Sequence, residues 1–333
     1  MHPVKPAGRR PVGPHDSRAW FSTRRQPAPG LRYFIDVLRA RPAFALGYAI
    51  ITGVTLAAIL APMIAPYPPT TANSADYLQP PNWNHVLGTD ATGMDIFSRI
   101  LYAPRIDLTI AVVGTLVSAV VGTLIGALVG YFQTAGGIRA LASDSVMRAA
   151  DVLQAFPVFV FAIALVAIFG QSIVSIIFAI AFVNTPIYLR LMRQQVMSIR
   201  GMRFVDAAVV AGVSDFRIIR AHIIPNAIAP VLAQLSINVG WSILLTAALS
   251  FVGAGVRAPT PEWGSMIATG FQNVMTGQWW PSVMPGIALA VTVFGFALVG
   301  TSIEFLADPS SRRRLAERAR TPKPNNALDT ASA

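Results

Sequence analysis

The chain has no cysteine, only two lysines (Lys5 and Lys323), and 12% charged residues, about half the charge density of a soluble domain. Without cysteine there is no disulfide framework, thiolate metal site or cysteine nucleophile. With no lysine between the two tails, a phosphate-cradling GxxxxGK loop cannot be written, so ATP hydrolysis is not expected in this chain. His2, His15, His85 and His222 are scattered, with no HExxH, and no GxSxG or strand-borne GxGxxG occurs. These absences remove the common hydrolase, metalloprotease and nucleotide-binding classes. The expectation is a protein that is not an enzyme.

What is abundant is apolar. Of 333 residues 54% are hydrophobic, and the mean hydropathy is +0.55. A membrane span needs roughly 20 apolar residues to cross about 30 Å of hydrocarbon. Six stretches qualify: about Pro42–Pro66, Leu108–Phe132, Val152–Gly170, Ser172–Leu191, a segment within Ile223–Gly253, and Pro281–Ile303. Pro157 interrupts the third early, and Asn184 and Pro186 lie near the end of the fourth. Some forty polar and basic residues precede the first stretch, which is not the form of a cleavable signal peptide.

The charge of +11 is distributed unevenly. If both termini lie in the cytoplasm, 23 of the 26 Lys and Arg fall on that side and 3 (Arg99, Arg105, Arg257) on the other. The positive-inside rule then predicts an all-α integral membrane protein with six transmembrane helices and cytoplasmic N and C termini. The basic tails are read as retention charges at an anionic inner leaflet, so the partner is the lipid bilayer and no nucleic acid is expected. The organisation that follows is a basic, disordered tail over 1–41, a first span over 42–66, an extracytoplasmic loop over 67–107, a five-helix core over 108–306 and a tail over 307–333.

Within the spans, Gly114, Ser118, Gly122, Gly126 and Gly130 recur every fourth residue, a face that lets another helix approach closely. Asn184, Gln234 and Asn238 are polar residues at depth, and the last two share a face. They either line a pathway or bond neighbouring helices. No carboxylate, lysine or arginine sits mid-span, which weighs against a carrier coupled through ionisable relays.

A charged island interrupts this apolar chain just before the uncharged run Ile223–Val256. Arg203–Ala211 reads as a short helix with Phe204, Ala207, Ala208 and Ala211 on one face and Arg203 and Asp206 elsewhere. Gly212 suits the left-handed position that closes it. Ser214 can cap a second short helix, with Asp215 complementing the dipole in its first turn. Helices this short need a surface to dock on, either the membrane or a protein partner, and the alanine-rich face favours the protein.

The island "DAAVVAGVSDFRIIRAHIIPN" resembles the EAA loop of ABC-importer permeases, with Asp206, Ala207, Ala208, Gly212 and Pro225 at the patterned positions. Asp replaces the usual Glu, and Ile224 the usual Leu. "HVLGTDATGMDIFSRILYAPRIDLTI", "VLQAFPVFVFAIALVAIFG" and "ALSFVGAGVRAPTPEWGSMI" are similar to segments of the C-type permeases of dipeptide and oligopeptide transporters. Gly93-Met94-Asp95 stands where that branch has Gly-Arg-Asp, and the closing segment keeps only Asp308-Pro309 of its usual pairs. The resemblance covers about Tyr33–Pro309.

The resemblance implies a type I ABC importer permease fold forming half of a translocation pathway. It implies that the loop 201–225 is a coupling helix seated in an ATPase cleft, with Arg203, Asp206, Ala207, Ala208, Gly212 and Asp215 at the contact. The implied partners are a second homologous permease, two P-loop ATPases (or one fused ATPase) and an extracytoplasmic solute-binding protein. ATP and Mg would be bound by the ATPase, and this chain would carry no cofactor and no metal. Alternatives left open are the same branch importing nickel, glutathione or another small solute, and a gradient-driven carrier or channel subunit.

Overall fold

The structure, a computed structural model, describes residues 31–307. The basic tail residues 1–30 and 308–333, including "SRRRLAER" and Asp308-Pro309, lie outside the described residues. Among those described, the regular elements are helices, with one isolated bridge between Thr89 and Asp95.

The tail expected over 1–41 ends in a helix, α1 (Leu31–Ala40), which buries Val37. Arg41 breaks it, and Pro42 starts α2 (Pro42–Ile64), the first span. Arg41 lies over the Phe305 ring at 4.5 Å, a cation–π contact that ties the start of this span to the last helix.

The segment expected as a loop over 67–107 is folded, and its last part is helical. Asp95 caps α3 (Ile96–Tyr102) by accepting from the Ser98 amide at 2.8 Å, and α4 (Pro104–Phe132) follows after Ala103. Asp95 also meets His85 Nδ1 at 3.0 Å, and the His85 ring lies 4.7 Å from that of Tyr67. Arg99 is buried in this segment and donates to Pro69 O and Pro259 O and to Met94 Sδ. The segment is thus pinned to the chain near Pro259.

The third expected span is a bent pair. Helix α5 (Gly137–Ala155) and α6 (Val158–Phe169) meet at 93° across Phe156 and Pro157. The proline ring clashes with a helical residue before it, and Phe156 accordingly takes extended geometry (φ −82°, ψ 140°). Helix α6 alone, 12 residues or about 18 Å, is too short to cross the bilayer.

Helix α7 (Ile173–Arg200) runs through Pro186 and is capped by Ser172, whose hydroxyl accepts from the Ser175 amide. At 28 residues it spans about 42 Å, so its Arg-rich last turns extend past the hydrocarbon. Then come α8 (Arg203–Val210), α9 (Asp215–Ile218), a π-turn over Ile219–Ile223 and α10 (Ile224–Phe251). The second short helix expected in the island is therefore the first turn of a continuous 37-residue helix, Asp215–Phe251. The widened turn lies just ahead of Pro225, which has no N–H for the helical ladder and whose ring crowds the carbonyl four residues back. Two further helices complete the fold, α11 (Trp263–Phe271) and α12 (Trp280–Ala307).

Among the described residues five helices are long and apolar enough to cross a membrane, and six spans result if the bent pair is one. Helix α4 packs most extensively on α7, and α10 sits between α4 and α12. One buried cluster, around Tyr188, Met192 and Ile223, underlies the α8 end, and another, around Trp263 and Trp280, lies at the opposite, α11 end. Those ends also divide the cations: the Arg190–Arg220 group and Arg139 sit at the first, and Arg99 and Arg257 at the second.

Candidate functional site

At the α8 end a short charged element projects from the apolar body with an exposed face. Helix α8 has eight residues, about 12 Å, too few to hold itself together in water. Val205 and Ala208 hold it, turning inward onto the cluster formed by Tyr131, Val196, Ile199 and Ile218. Burying a valine of this kind contributes about 1.5–3 kcal/mol. Ala208, grouped by sequence with the outward contact residues, is thus only 9% exposed and faces its own chain. Helix spacing puts it about 40° from Phe204 and about 60° from Val205, so packing rather than periodicity turns it inward with Val205.

Helix α8 closes as a Schellman motif. The Gly212 amide donates to Val209 O at 3.0 Å, the Val213 amide donates to Ala208 O at 3.1 Å, and Gly212 has φ +75°. Gly212 has that left-handed geometry with no atom near the position its β-carbon would take, so the constraint there is conformational, not steric. The turn directs the chain from α8 back into α9. Ser214 occupies the cap position of α9 with extended geometry, yet its side chain makes no capping hydrogen bond.

Asp215 does more than complement a dipole. It accepts from Tyr131 Oη at 2.8 Å and from Arg139 at 3.2 Å, joining α9 to the end of α4 and the start of α5. Arg200 donates to Tyr131 O and Thr134 Oγ1 and lies over the Tyr131 ring at 4.8 Å. Arg193 donates to Gln133 at 2.7 Å, and Arg190 pairs with Asp151. A ring of arginine contacts thus braces the ends of α4, α5 and α7 directly beneath α8 and α9.

Outward-facing side chains are Arg203, Phe204, Asp206, Ala207, Val209 and Val210, with Phe216 from α9 beside them. Val210 is 88% and Phe216 70% exposed, so the projecting face is more apolar than the alanines alone implied. Sequence reading passed over Val210 and Phe216 because it weighed the small residues. It also had no means of pairing Tyr131 or Arg139 with Asp215 across 84 and 76 positions. Exposed aromatic and aliphatic side chains flanked by unpaired charges are what a protein–protein contact uses.

The remaining residues singled out by sequence fall into two places. Gly114, Gly122, Gly126 and Gly130 face α7: added β-carbons would stand 2.8 Å from Ile180 Cγ2, 2.6 Å from Thr185 O, against Leu189 O, and 2.9 Å from Arg193 O. Ser118, fully buried on the same face, returns its hydroxyl to Thr115 O. Asn184 is buried between α4, α7 and α10. Its amide donates to Ser242 Oγ at 3.2 Å, and Ser242 shares a hydrogen bond with Thr115 at 3.0 Å. Asn238 and Gln234 stand one and two turns along α10 from Ser242. Asn238 is buried beside Tyr188, and Gln234 is half-buried. Asn184 thus bonds across to a neighbouring helix, one of the two roles its sequence position allows.

No group of three or more His, Cys, Asp or Glu that could hold a metal occurs among the described residues. The geometry offers a contact surface and a rigid support.

Comparison with known proteins agrees with this picture. Residues 122–313 match the family model of the binding-protein-dependent transport system inner membrane component, and residues 31–81 match the N-terminal TM domain of oligopeptide transport permease C. The chain is 38% identical over 270 residues to the dipeptide transport system permease protein DppC of Alkalihalophilus pseudofirmus, covering 80% of this chain and 86% of that protein. It is 37% identical over 293 residues to the protein of the same name from Escherichia coli K12, covering 86% and 95%. A third relative, the probable D,D-dipeptide transport system permease protein DdpC of the same organism, is 34% identical over 275 residues, covering 83% and 90%. On these matches and its apolar helices, this chain belongs to the family of multi-pass inner membrane permeases of binding-protein-dependent ABC transport systems.

Proposed function

We propose that the chain is one of two permease subunits of an ATP-driven importer of di- or oligopeptides and that α8 is its coupling helix. The observation that carries the coupling role is the build of the α8 end: a projecting face of Phe204, Val209, Val210 and Phe216, on a helix fastened inward by Val205 and Ala208. The positive-inside bias supports a cytoplasmic position for this end and both termini, where two ATPases, or one fused ATPase, would meet it. A second permease would complete the pathway, and an extracytoplasmic binding protein would deliver the peptide at the α11 end. ATP and Mg belong to the ATPase.

Force applied to α8 reaches the spans by two routes. One is the continuous helix from Asp215 through the π-turn into α10, and the other is the Asp215–Tyr131–Arg139 junction with α4 and α5. Closure of the ATPases would bias this junction between two packings, which is what switching an inward-facing pathway to an outward-facing one requires. The dipeptide relatives direct the substrate assignment.

The test is affinity purification of the tagged chain from its native membrane in mild detergent, followed by mass spectrometry and by dipeptide uptake into cells. Recovery of a second permease and a P-loop ATPase, with uptake abolished by ATP depletion at held membrane potential, is the expected result. A stable homo-oligomer without ATPase, or uptake indifferent to ATP, would overturn the proposal.

A further inference from the structure

At the end of the molecule opposite α8, a cavity of about 380 Å³ opens between the α6–α7 turn, the end of α10 and α11. That volume lies within the roughly 300–1,000 Å³ typical of small-molecule sites. Its polar lining is Gln171, Ser250, Arg257, Ser265, Thr269 and Gln272, and no carboxylate borders it.

Arg257 distinguishes this cavity from the rest of that end. Arg99 is engaged by Pro69 O, Pro259 O and Asp90, and Arg105 donates to Ala58 O and Ile59 O. The Arg257 guanidinium is exposed, and among the described residues it has neither an ion pair nor a hydrogen bond. A guanidinium offers five donors in a fork that matches a carboxylate.

The other groups are chosen differently. The Ser265 hydroxyl donates to Glu262 O at 2.9 Å and Thr269 Oγ1 to Ser265 O at 3.0 Å, so their protons are spent within α11 and lone pairs remain. Gln171 spends an amide proton on Gly253 O at 2.5 Å, leaving its carbonyl oxygen free to accept. Ser250 is 5% exposed, lines the cavity, and its hydroxyl has no partner. A buried unpartnered hydroxyl costs stability unless something bonds to it. The cavity therefore presents one cation and several acceptors, a complement to a ligand bearing one carboxylate and several N–H groups.

We infer that this cavity binds a short peptide, with the C-terminal carboxylate on Arg257 and the N–H groups on Ser265, Thr269 and Gln171. The choice of peptide rests on the import reading above, in whose orientation the cavity lies on the side from which substrate arrives. It would be a receiving site of the permease itself, separate from the site on the binding protein.

Saturation-transfer NMR on the complete complex in nanodiscs, without binding protein, tests this with dialanine and C-amidated dialanine as probes. Transfer to dialanine is expected in the wild type, with apparent affinity about tenfold weaker for the amide and in R257Q, as expected for loss of one charged hydrogen-bonded pair. R257K is expected to retain part of it. Arg257 is exposed, so these variants keep the fold, and complex recovery by size-exclusion chromatography checks that. Absent transfer in the wild type, equal transfer in R257Q, or equal transfer to acid and amide would each overturn the site. So would an R257Q defect confined to capture of the binding protein, which would make Arg257 a protein contact. ATP-driven dipeptide uptake into proteoliposomes of the same complex, with its binding protein added, separates the two readings: transfer without any uptake removes the import assignment but not the site, and uptake with no Arg257-dependent transfer removes the site alone.

Discussion

Gly122 and Gly212 occupy opposite kinds of place. At Gly122, on the α4 face toward α7, an added β-carbon would lie 2.6 Å from Thr185 O and 2.7 Å from Tyr188 Cβ. At Gly212, in the α8–α9 turn, it would meet nothing within 4 Å, but the backbone is held at φ +75°. One glycine is required by what touches it, the other by the conformation of its own bonds. The same contrast separates the two regions. The α4–α7 seam is rigid, because backbone packs on backbone and has one way to fit. The α8 end is a projecting element held by two inward side chains and a few polar junctions, with its other face open.

The comparison can be broken at the seam first. G126L is expected to be the most damaging change, since its side chain would enter the Leu189 backbone, and overpacking of this kind costs about 1–3 kcal/mol or more. Loss of folded protein from membranes and failure to recover the complex would be the readout; normal recovery would mean that the helices separate easily. G212V comes next. Left-handed geometry costs a non-glycine residue about 1–2 kcal/mol and a β-branched one is a poor fit, so the α8–α9 turn should distort while the chain still inserts. Peptide uptake should fall with ATP hydrolysis retained, and normal uptake would count against α8 as the coupling element.

Smaller effects sharpen the distinction. N184A removes one buried hydrogen bond to Ser242 and should cost about 0.6 kcal/mol of stability with little change in transport, as a packing residue would. A large change in transport at unchanged stability would return Asn184 to the pathway. D215N keeps an acceptor for Tyr131 but loses the charge facing Arg139, an exposed pair worth less than about 1 kcal/mol. D215A should therefore impair coupling more than D215N. Equal effects of the two would show that the charge, and not the Tyr131 hydrogen bond, matters.

Much of this division was legible in the chain. A spacing of four turns each residue only about 40° from the last, so neighbours in the series Gly114, Gly122, Gly126 and Gly130 lie near one another on the helix, while packing decided that all four meet α7. The left-handed closing role of Gly212 follows from its place after an alanine-rich turn, and the structure has it as the C′ glycine. The bend at Pro157 was legible only as an interruption. A proline restricts the residue before it locally, but whether the helix kinks or turns through 93° depends on what the two arms pack against. The folded segment before α4 was hidden for a similar reason: Arg99 and Pro259 are 160 positions apart, and local pattern does not register that distance.

By itself, the sequence determined that the chain is a helical membrane protein, which strand of apolar residues goes with which helix, and where the cations collect. Composition and periodicity act residue by residue, and the bilayer leaves an apolar chain few alternatives to the helix. Only the tertiary structure decided that Ala208 faces inward, that Val210 and Phe216 face outward, that Asp215 ties three helices, and that Arg257 stands uncompensated over a polar cavity. Each of these depends on which distant residue comes within a few ångströms, and chain separation carries no information about that until the helices have packed.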